Sequence, residues 1–238
     1  MPAERYFLPQ ELKLGESYQM TEAEFHHLAH VMRSKEGDEI ELINGKGFLA
    51  SAEVIKIAKH FATLKLIKVE YQPPPPYTLI LAQAFPKIHR LEDILEKGTE
   101  LGATSFRLFP GQYSQKKDFF DNQLKRWHAI LIAATKQCGR LYLPELILYP
   151  PISQWQKQEN ETLFFGDTHR DAPLFEQVWK AQPSSAVIFA TGPEGGFSPN
   201  EITLLKKLGG KGVKLHPNIL RTETASLCAL SLVSHWFD

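Results

Sequence analysis

The sequence of 238 residues is poor in cysteine, carries no net charge and contains no long apolar run. Its cysteines, Cys138 and Cys228, are too few for a disulfide scaffold and too isolated for a zinc site, so no metal is expected. Lys plus Arg and Asp plus Glu each number 27, which excludes a nucleic-acid binder that depends on overall positive charge. No apolar run reaches the roughly 18–20 residues that cross a bilayer, and the N-terminus lacks an apolar signal segment. These absences predict a cytoplasmic protein without a membrane partner.

A run of four prolines at 73–76 divides the chain, because it fits neither a helix interior nor a central strand and forms a stiff spacer. Residues 1–72 are predicted to form a small, mainly β domain with one helix at 21–32. Thr21 and Glu24 are expected to form a capping box at the start of that helix. Its strands are expected at 38–43, 48–57 and 61–69.

After the prolines, residues 77–238 alternate short apolar segments with helix-like ones. This alternation predicts a parallel α/β sheet with helices on both faces. Strands are expected at 78–84, 106–109, 146–149, 163–165, 187–190 and 213–215. Helices are expected at 87–101, 123–138, 199–208 and 224–236.

A glycine-rich loop follows the predicted strand 187–190. Gly192, Gly195 and Gly196 permit unusual backbone angles and a close approach of a ligand to the main chain, although two glycines can also serve only a tight turn. Loops at the carboxyl ends of parallel strands are where open α/β sheets bind ligands. The helix after the loop is expected to begin with Ser198 as N-cap and Glu201 completing a capping box.

A second strand–loop–helix segment contains Arg221 and Glu223. Glu223 has a structural explanation, since an acidic side chain in the first turn is favoured by the helix dipole. Arg221 has no such explanation, because a cation at a helix N-terminus is unfavourable. This local conflict makes Arg221 the stronger functional candidate.

Two motifs resemble the signature loops of the SPOUT methyltransferases: Gly192-Pro193-Glu194-Gly195-Gly196 and Leu220-Arg221-Thr222-Glu223-Thr224-Ala225. More narrowly, they are similar to the RsmE family, which methylates a uridine ring nitrogen in small-subunit ribosomal RNA. Shorter segments along nearly the whole chain share the resemblance, among them Arg5-Tyr6-Phe7, Val31-Met32-Arg33, Lys97-Gly98-Thr99-Glu100-Leu101-Gly102 and Gln137-Cys138-Gly139-Arg140. The resemblance implies a PUA-like β-barrel followed by a parallel-sheet SPOUT domain with a C-terminal trefoil knot. It also implies S-adenosylmethionine as methyl donor and a homodimer.

The resemblance assigns roles to residues of the two loops. Arg221 is the candidate for stabilising the uracil anion, with Glu223 or Glu194 orienting it or accepting the proton. A plain turn-stabilising role is an alternative for Glu194. Leu215 and Leu220 are expected to sandwich the adenine. The predicted cofactor residues are Thr191, Gly192, Gly196, Leu215, Ile219, Leu220 and Ala225.

Substrate RNA requires phosphate contacts and base stacking. The candidate RNA-binding residues are Arg5, Arg33, Lys46, Tyr113, Lys116, Arg126 and Arg140. A solvated surface position is the alternative for each basic residue taken alone. The chain departs from the family pattern at Tyr113, Lys136, His216 and Asn218, and these positions are expected near the substrate instead of in the donor loops.

Two other functions are compatible with parts of the sequence. One is a SPOUT methyltransferase acting on another RNA, such as transfer RNA. The other is a non-catalytic RNA-binding or ribosome-assembly module. The match in the N-terminal domain argues against another RNA, and the intact donor loops argue against a module that only binds RNA, which has no need of them. The sequence therefore favours an enzyme that methylates N3 of a uridine in 16S ribosomal RNA.

Overall fold

The computed structural model describes residues 4–115, 120–156 and 159–237, which form two compact units. The first unit runs to Pro74 and also includes Ile132–Leu143; the second comprises Pro75–Leu131 and residues from Pro144 onward. The chain therefore passes from the first unit to the second within the proline run. The assignment of Ile132–Leu143 to the first unit was not evident from the sequence, where that segment lies in the second predicted domain.

The first unit contains a five-stranded sheet in the order β1-β3-β4-β5-β2, in which only β1 and β3 are parallel. Its elements are β1 (Arg5–Phe7), β2 (Ser17–Met20), α1 (Glu22–His26), β3 (Glu39–Ile43), β4 (Phe48–Ile57) and β5 (Ala62–Tyr71), and a π-helical turn (His27–Val31) extends α1. Alternating residues of β4 and β5, such as Val54 and Leu64, are fully buried in one core with Tyr6 and Leu28. Apolar residues recur at every second position along much of β4 and β5, and because successive side chains of a strand point to opposite faces, this spacing favours strands with one buried face.

The predicted capping box of α1 is wrong. The Thr21 side chain makes no cap hydrogen bond. The Glu24 carboxylate instead accepts a hydrogen bond from the Phe7 backbone N–H at 3.1 Å and pairs with Lys136 Nζ at 2.7 Å. A partly buried ammonium is a stronger partner for a carboxylate than an exposed backbone N–H.

The second unit contains a six-stranded, wholly parallel sheet in the order β11-β9-β10-β6-β7-β8, which confirms the predicted α/β class. Its elements are β6 (Thr78–Ala84), α2 (Ile88–Glu100), β7 (Ser105–Phe109), α3 (Asp121–Cys138), β8 (Glu145–Leu148), β9 (Thr162–Gly166), α4 (Phe175–Ala181), β10 (Ala186–Thr191), α5 (Pro199–Lys207), β11 (Lys211–Val213) and α6 (Thr222–Phe237). The last residues of α3 belong to the first unit. Helix α4 was not predicted, and α6 begins two residues before its predicted start.

Helices cover the central strands of this sheet. Helices α2 and α6 pack against each other, and fully buried Leu95 and Leu230 are among their core residues. Leu205 of α5 is buried in a separate core cluster with Ile80 and Ile188. Burial of each such aliphatic side chain contributes about 1.5–3 kcal/mol. Within the described residues, no helix combines the length and apolarity needed to cross a membrane.

Candidate active site

A cleft of about 540 Å³ lies at the carboxyl ends of β9, β10 and β11, between the loops that follow them and the start of α6. Its volume is in the usual range of ligand sites, roughly 300–1,000 Å³. The structure brings every residue predicted to bind the cofactor to this cleft, together with Glu194 and Arg221. These cofactor candidates are Thr191, Gly192, Gly196, Leu215, Ile219, Leu220 and Ala225.

The glycine loop, residues 192–196, folds back tightly between β10 and α5. A Cβ on Gly192 would lie 2.8 Å from the Gly196 carbonyl carbon, so the loop closes on itself only with glycine there. Gly196 has φ +70°, and a Cβ on it would meet no atom within 4 Å. The predicted capping box of α5 is confirmed, with Ser198 Oγ accepting from Glu201 N–H and Glu201 Oε2 accepting from Ser198 N–H.

The cleft offers both polar and apolar surfaces to a ligand. Thr191 is 5% exposed, and its Oγ1 has no hydrogen-bond partner among the described residues. A buried hydroxyl without a partner is costly, and a polar ligand group would satisfy it. Leu215 and Leu220 are half-buried on the lining, whereas Ile219 is 82% exposed. This combination suits a ligand with an aromatic ring and several polar groups.

Buried Gln83, near the end of β6, connects the glycine loop and the start of α6 through hydrogen bonds. The sequence analysis did not single it out. Its Nε2 donates to Thr222 Oγ1 at 3.1 Å, and its Oε1 accepts from Ser226 Oγ at 2.6 Å. Thr222 Oγ1 in turn donates to the Gly192 carbonyl at 2.6 Å. The one available signal was an amide residue within the otherwise apolar run of β6. Fully satisfied buried networks of this kind fix a single geometry.

Both carboxylates proposed to orient Arg221 pair instead with Arg90. Arg90 Nη1 donates to Glu223 Oε2 at 2.9 Å, and its Nε lies 3.5 Å from Glu194 Oε1. Glu194 Oε1 also accepts from the Lys87 backbone N–H at 3.1 Å. Arg90 is the third residue of α2, where a cation opposes the helix dipole. That same conflict singled out Arg221, and it could have identified Arg90.

Arg221 immediately precedes α6, where its carbonyl accepts the Ala225 N–H at 2.8 Å. Its side chain is exposed and forms no ion pair with the described parts of the chain. The guanidinium is therefore available to a molecule that enters the cleft.

Asp167 is another lining residue that the sequence analysis did not single out. Burial acts to raise the pKa of its carboxyl, but the hydrogen bonds with the backbone N–H and ring of His169, together with electrostatic attraction to His169 and Lys206, lower the pKa below its ordinary value. No group of three or more potential metal ligands occurs among residues 4–115, 120–156 and 159–237.

The loop after β7 is attached to the glycine-loop side of the site. Glu201 Oε1 accepts the Gln112 backbone N–H at 2.9 Å, so the carboxylate that caps α5 also holds this loop. Tyr113 is 48% exposed, and its Cβ packs against Gly195. The structure therefore places the aromatic ring of Tyr113 beside the cleft.

The other predicted RNA contacts are placed differently. Arg5 is 13% exposed, and it donates to Glu41 and to the Gly139 carbonyl at 2.7 Å each, which argues against the predicted RNA contact. Arg126 is exposed on the second unit and pairs with Glu92 at 2.7 Å. In the first unit, Arg33 and Lys46 are exposed and Arg140 is half-buried. Lys116 lies outside the described residues.

The departures from the family pattern do not share one environment. His216 and Asn218 line the cleft beside the predicted donor residues, and Asn218 N–H donates to His216 Nδ1 at 3.1 Å. They therefore lie in the same loop as the predicted donor residues, and their contact with the substrate stays a prediction. Lys136 pairs with Glu24 within the first unit.

The parallel sheet, the glycine loop and the cleft at the start of α6 are the fold and the site expected of an RNA methyltransferase domain. A family model described as RNA methyltransferase domain matches residues 73–234, and one described as RNA methyltransferase PUA domain matches residues 21–67. The chain belongs to the ribosomal RNA small subunit methyltransferase E family, as its resemblance to RsmE predicted. The trefoil knot stays a prediction.

Relatives of that name match along most of their length. The protein of Bacillus subtilis (strain 168) is 30% identical over 98% of this chain and 96% of the relative. A Synechocystis relative is 33% identical over 90% of this chain and 72% of its own. Among solved structures, the Neisseria gonorrhoeae enzyme bound to S-adenosylmethionine is 26% identical, with TM-score 0.86 over 98% of both chains. A Legionella pneumophila protein in complex with S-adenosylmethionine is 27% identical, with TM-score 0.91 over 99% of this chain and 98% of the other.

Proposed function

We propose that this protein is an S-adenosylmethionine-dependent methyltransferase that methylates N3 of a uridine in 16S ribosomal RNA. The observation that carries the proposal is the cleft, which is lined by every predicted cofactor residue, among them Thr191, whose hydroxyl has no hydrogen-bond partner within the described parts of the chain. Family membership supplies the substrate class. The proposed location is the cytoplasm, where ribosomal RNA is found.

The residues of the cleft fit the methyl donor. When bound, S-adenosylmethionine supplies an electrophilic methyl group. Leu215 and Leu220 would flank its adenine, the Thr191 hydroxyl would pair with one of its polar groups, and Gly192 and Gly196 would let it approach the main chain.

Arg221 is the proposed catalytic residue. Uracil N3 becomes nucleophilic only when a base accepts its proton, a role for which Glu194 and Glu223 are the predicted candidates, and the resulting negative charge spreads onto the two flanking carbonyl oxygens. An exposed guanidinium beside the cleft can donate to these oxygens and stabilise the charge. Because Glu194 and Glu223 both contact Arg90, they act on Arg221 only indirectly in this geometry.

The direct test is methylation of 16S ribosomal RNA and, in a parallel reaction, of transfer RNA with labelled donor, followed by mapping of the modified base. Label at uridine N3 is expected. Label in transfer RNA alone would favour the alternative substrate. Donor binding without any methyl transfer to RNA would contradict the enzymatic function.

Tyr113 is the proposed stacking residue for the RNA. Replacement by alanine should raise KM for RNA about tenfold, because base–aromatic stacking contributes roughly 1–3 kcal/mol. Donor affinity should not change. Steady-state kinetics at saturating donor measure the effect, and Tyr113→Phe is the matched control that retains the ring. An unchanged KM in the alanine variant would exclude stacking.

We also propose a homodimer. Leu230 and Val233 of α6 are fully buried, while Leu227 and Leu232 are only half-buried and offer apolar surface to a second copy. Sedimentation at micromolar concentration should give twice the chain mass of 27.1 kDa. A single species at the mass of one chain would contradict the dimer.

A further inference from the structure

Arg90 contacts both segments that form the walls of the cleft. Its partner Glu194 belongs to the glycine loop, and its partner Glu223 belongs to the first turn of α6. The three side chains are only 21%, 28% and 22% exposed, so water screens their interactions less than at the surface. More than a hundred residues separate Arg90 from either partner, so this contact is purely tertiary.

The chemistry of the cluster explains why arginine occupies this position. A guanidinium is planar and presents several N–H groups, so it can donate to two carboxylates at once, whereas a lysine ammonium acts as a point charge. Without Arg90, Glu194 and Glu223 would be left as neighbouring like charges in a partly desolvated site. Their repulsion would push the glycine loop and α6 apart.

We propose that Arg90 is a positioning residue for the methyl donor, which holds the glycine loop against the first turn of α6. It thereby keeps the two walls of the cleft at the separation that fits the donor. The inference rests on the proposed function in taking S-adenosylmethionine as the ligand of the cleft. Arg90 also lines the cleft, but its proposed role is exerted through the glycine loop and the first turn of α6, and it is not itself a catalytic residue.

Titration calorimetry of the full chain with S-adenosylmethionine tests this role without measuring methyl transfer. Arg90→Ala should weaken binding at least about tenfold, as expected for loss of one charge-assisted hydrogen bond. Arg90→Lys should bind the donor more tightly than Arg90→Ala but more weakly than the wild type, since lysine retains the charge but not the planar guanidinium. Glu223→Gln should also weaken binding. The Arg90→Ala/Glu223→Gln double variant should bind no more weakly than Arg90→Ala, because the second change breaks no remaining contact to Arg90 and relieves the repulsion between the two carboxylates.

The Arg107–Glu161 pair provides a matched control. Its bonds of 3.1 and 2.9 Å and its exposures of 16% and 19% resemble those of the Arg90 cluster, but neither residue lines this cleft. Arg107→Ala should lower Tm and leave donor affinity unchanged, whereas Arg90→Ala should change both.

The outcomes separate the two proposals. Wild-type affinity in folded Arg90→Ala, with only Tm reduced, would overturn the positioning role alone. Failure of the wild-type protein to bind the donor would overturn both the role and the proposed function. If Arg90→Ala does not fold, Arg90→Lys and Glu223→Gln decide, and wild-type affinity in both would overturn the role.

Discussion

Replacement of Arg221 by alanine should reduce the single-turnover rate, at saturating donor and RNA, roughly a hundred- to a thousandfold. This is the typical loss when one preorganised donor to a developing oxyanion is removed. The interaction strengthens as the N3 proton leaves, so the change should appear in the turnover rate more than in donor affinity. Because the backbone carbonyl of Arg221 makes the first hydrogen bond of α6, the helix start should persist in the variant.

Arg221→Lys is the control for charge. Lysine retains a cation but lacks the planar guanidinium that can donate to two carbonyl oxygens at once. The rate is therefore expected to lie between those of Arg221→Ala and the wild type. A residue that merely anchors its loop would behave differently, with weaker donor binding, lower Tm and a nearly intact rate at saturation. That pattern would end the catalytic assignment of Arg221.

Replacement of Gly196 by valine should abolish detectable donor binding in a protein that still folds. Gly196 has φ +70°, a region that β-branched residues rarely adopt, so the valine strains the loop. A Cβ at this position meets no atom within 4 Å, so the valine side chain would extend into open space beside the cleft and not into the core. Calorimetry measures binding, and circular dichroism verifies the fold.

Gly209→Val is a suitable control for backbone strain. Gly209 also has a left-handed conformation, with φ +83°, but it does not line this cleft. The control should lower Tm without changing donor affinity. Wild-type affinity in folded Gly196→Val would show that the glycine loop does not contact the donor.

Features that depend on neighbouring residues could be predicted from the sequence. Ser198 and Glu201 cap α5 as expected, because both partners lie within one helical turn. The same pattern failed at Thr21, where Lys136 and the Phe7 backbone compete for the Glu24 carboxylate. The competing partners are distant in sequence, and no local pattern contains them.

The residues that line the cleft could be predicted from the sequence more completely than the ion pairs formed around it. The two loops could be identified because each follows a predicted strand and one is rich in glycine while the other carries Arg221 and Glu223; resemblance to a family then gave them roles, and the parallel sheet brings the ends of β10 and β11 to one edge. The pairing of Glu194 and Glu223 with Arg90, in place of Arg221, could not be predicted from the sequence, because it depends on how α2 packs beside α6.

The two hydrogen bonds that Glu201 accepts have a thermodynamic consequence for binding of the methyl donor and of the RNA. One of its carboxylate oxygens caps the helix that follows the glycine loop, and the other holds the loop that carries Tyr113. Once one of these loops is ordered, less conformational entropy therefore remains to be lost when the other becomes ordered. If the donor orders the first loop and RNA the second, each ligand strengthens binding of the other by the same factor, since linkage between two binding equilibria is reciprocal.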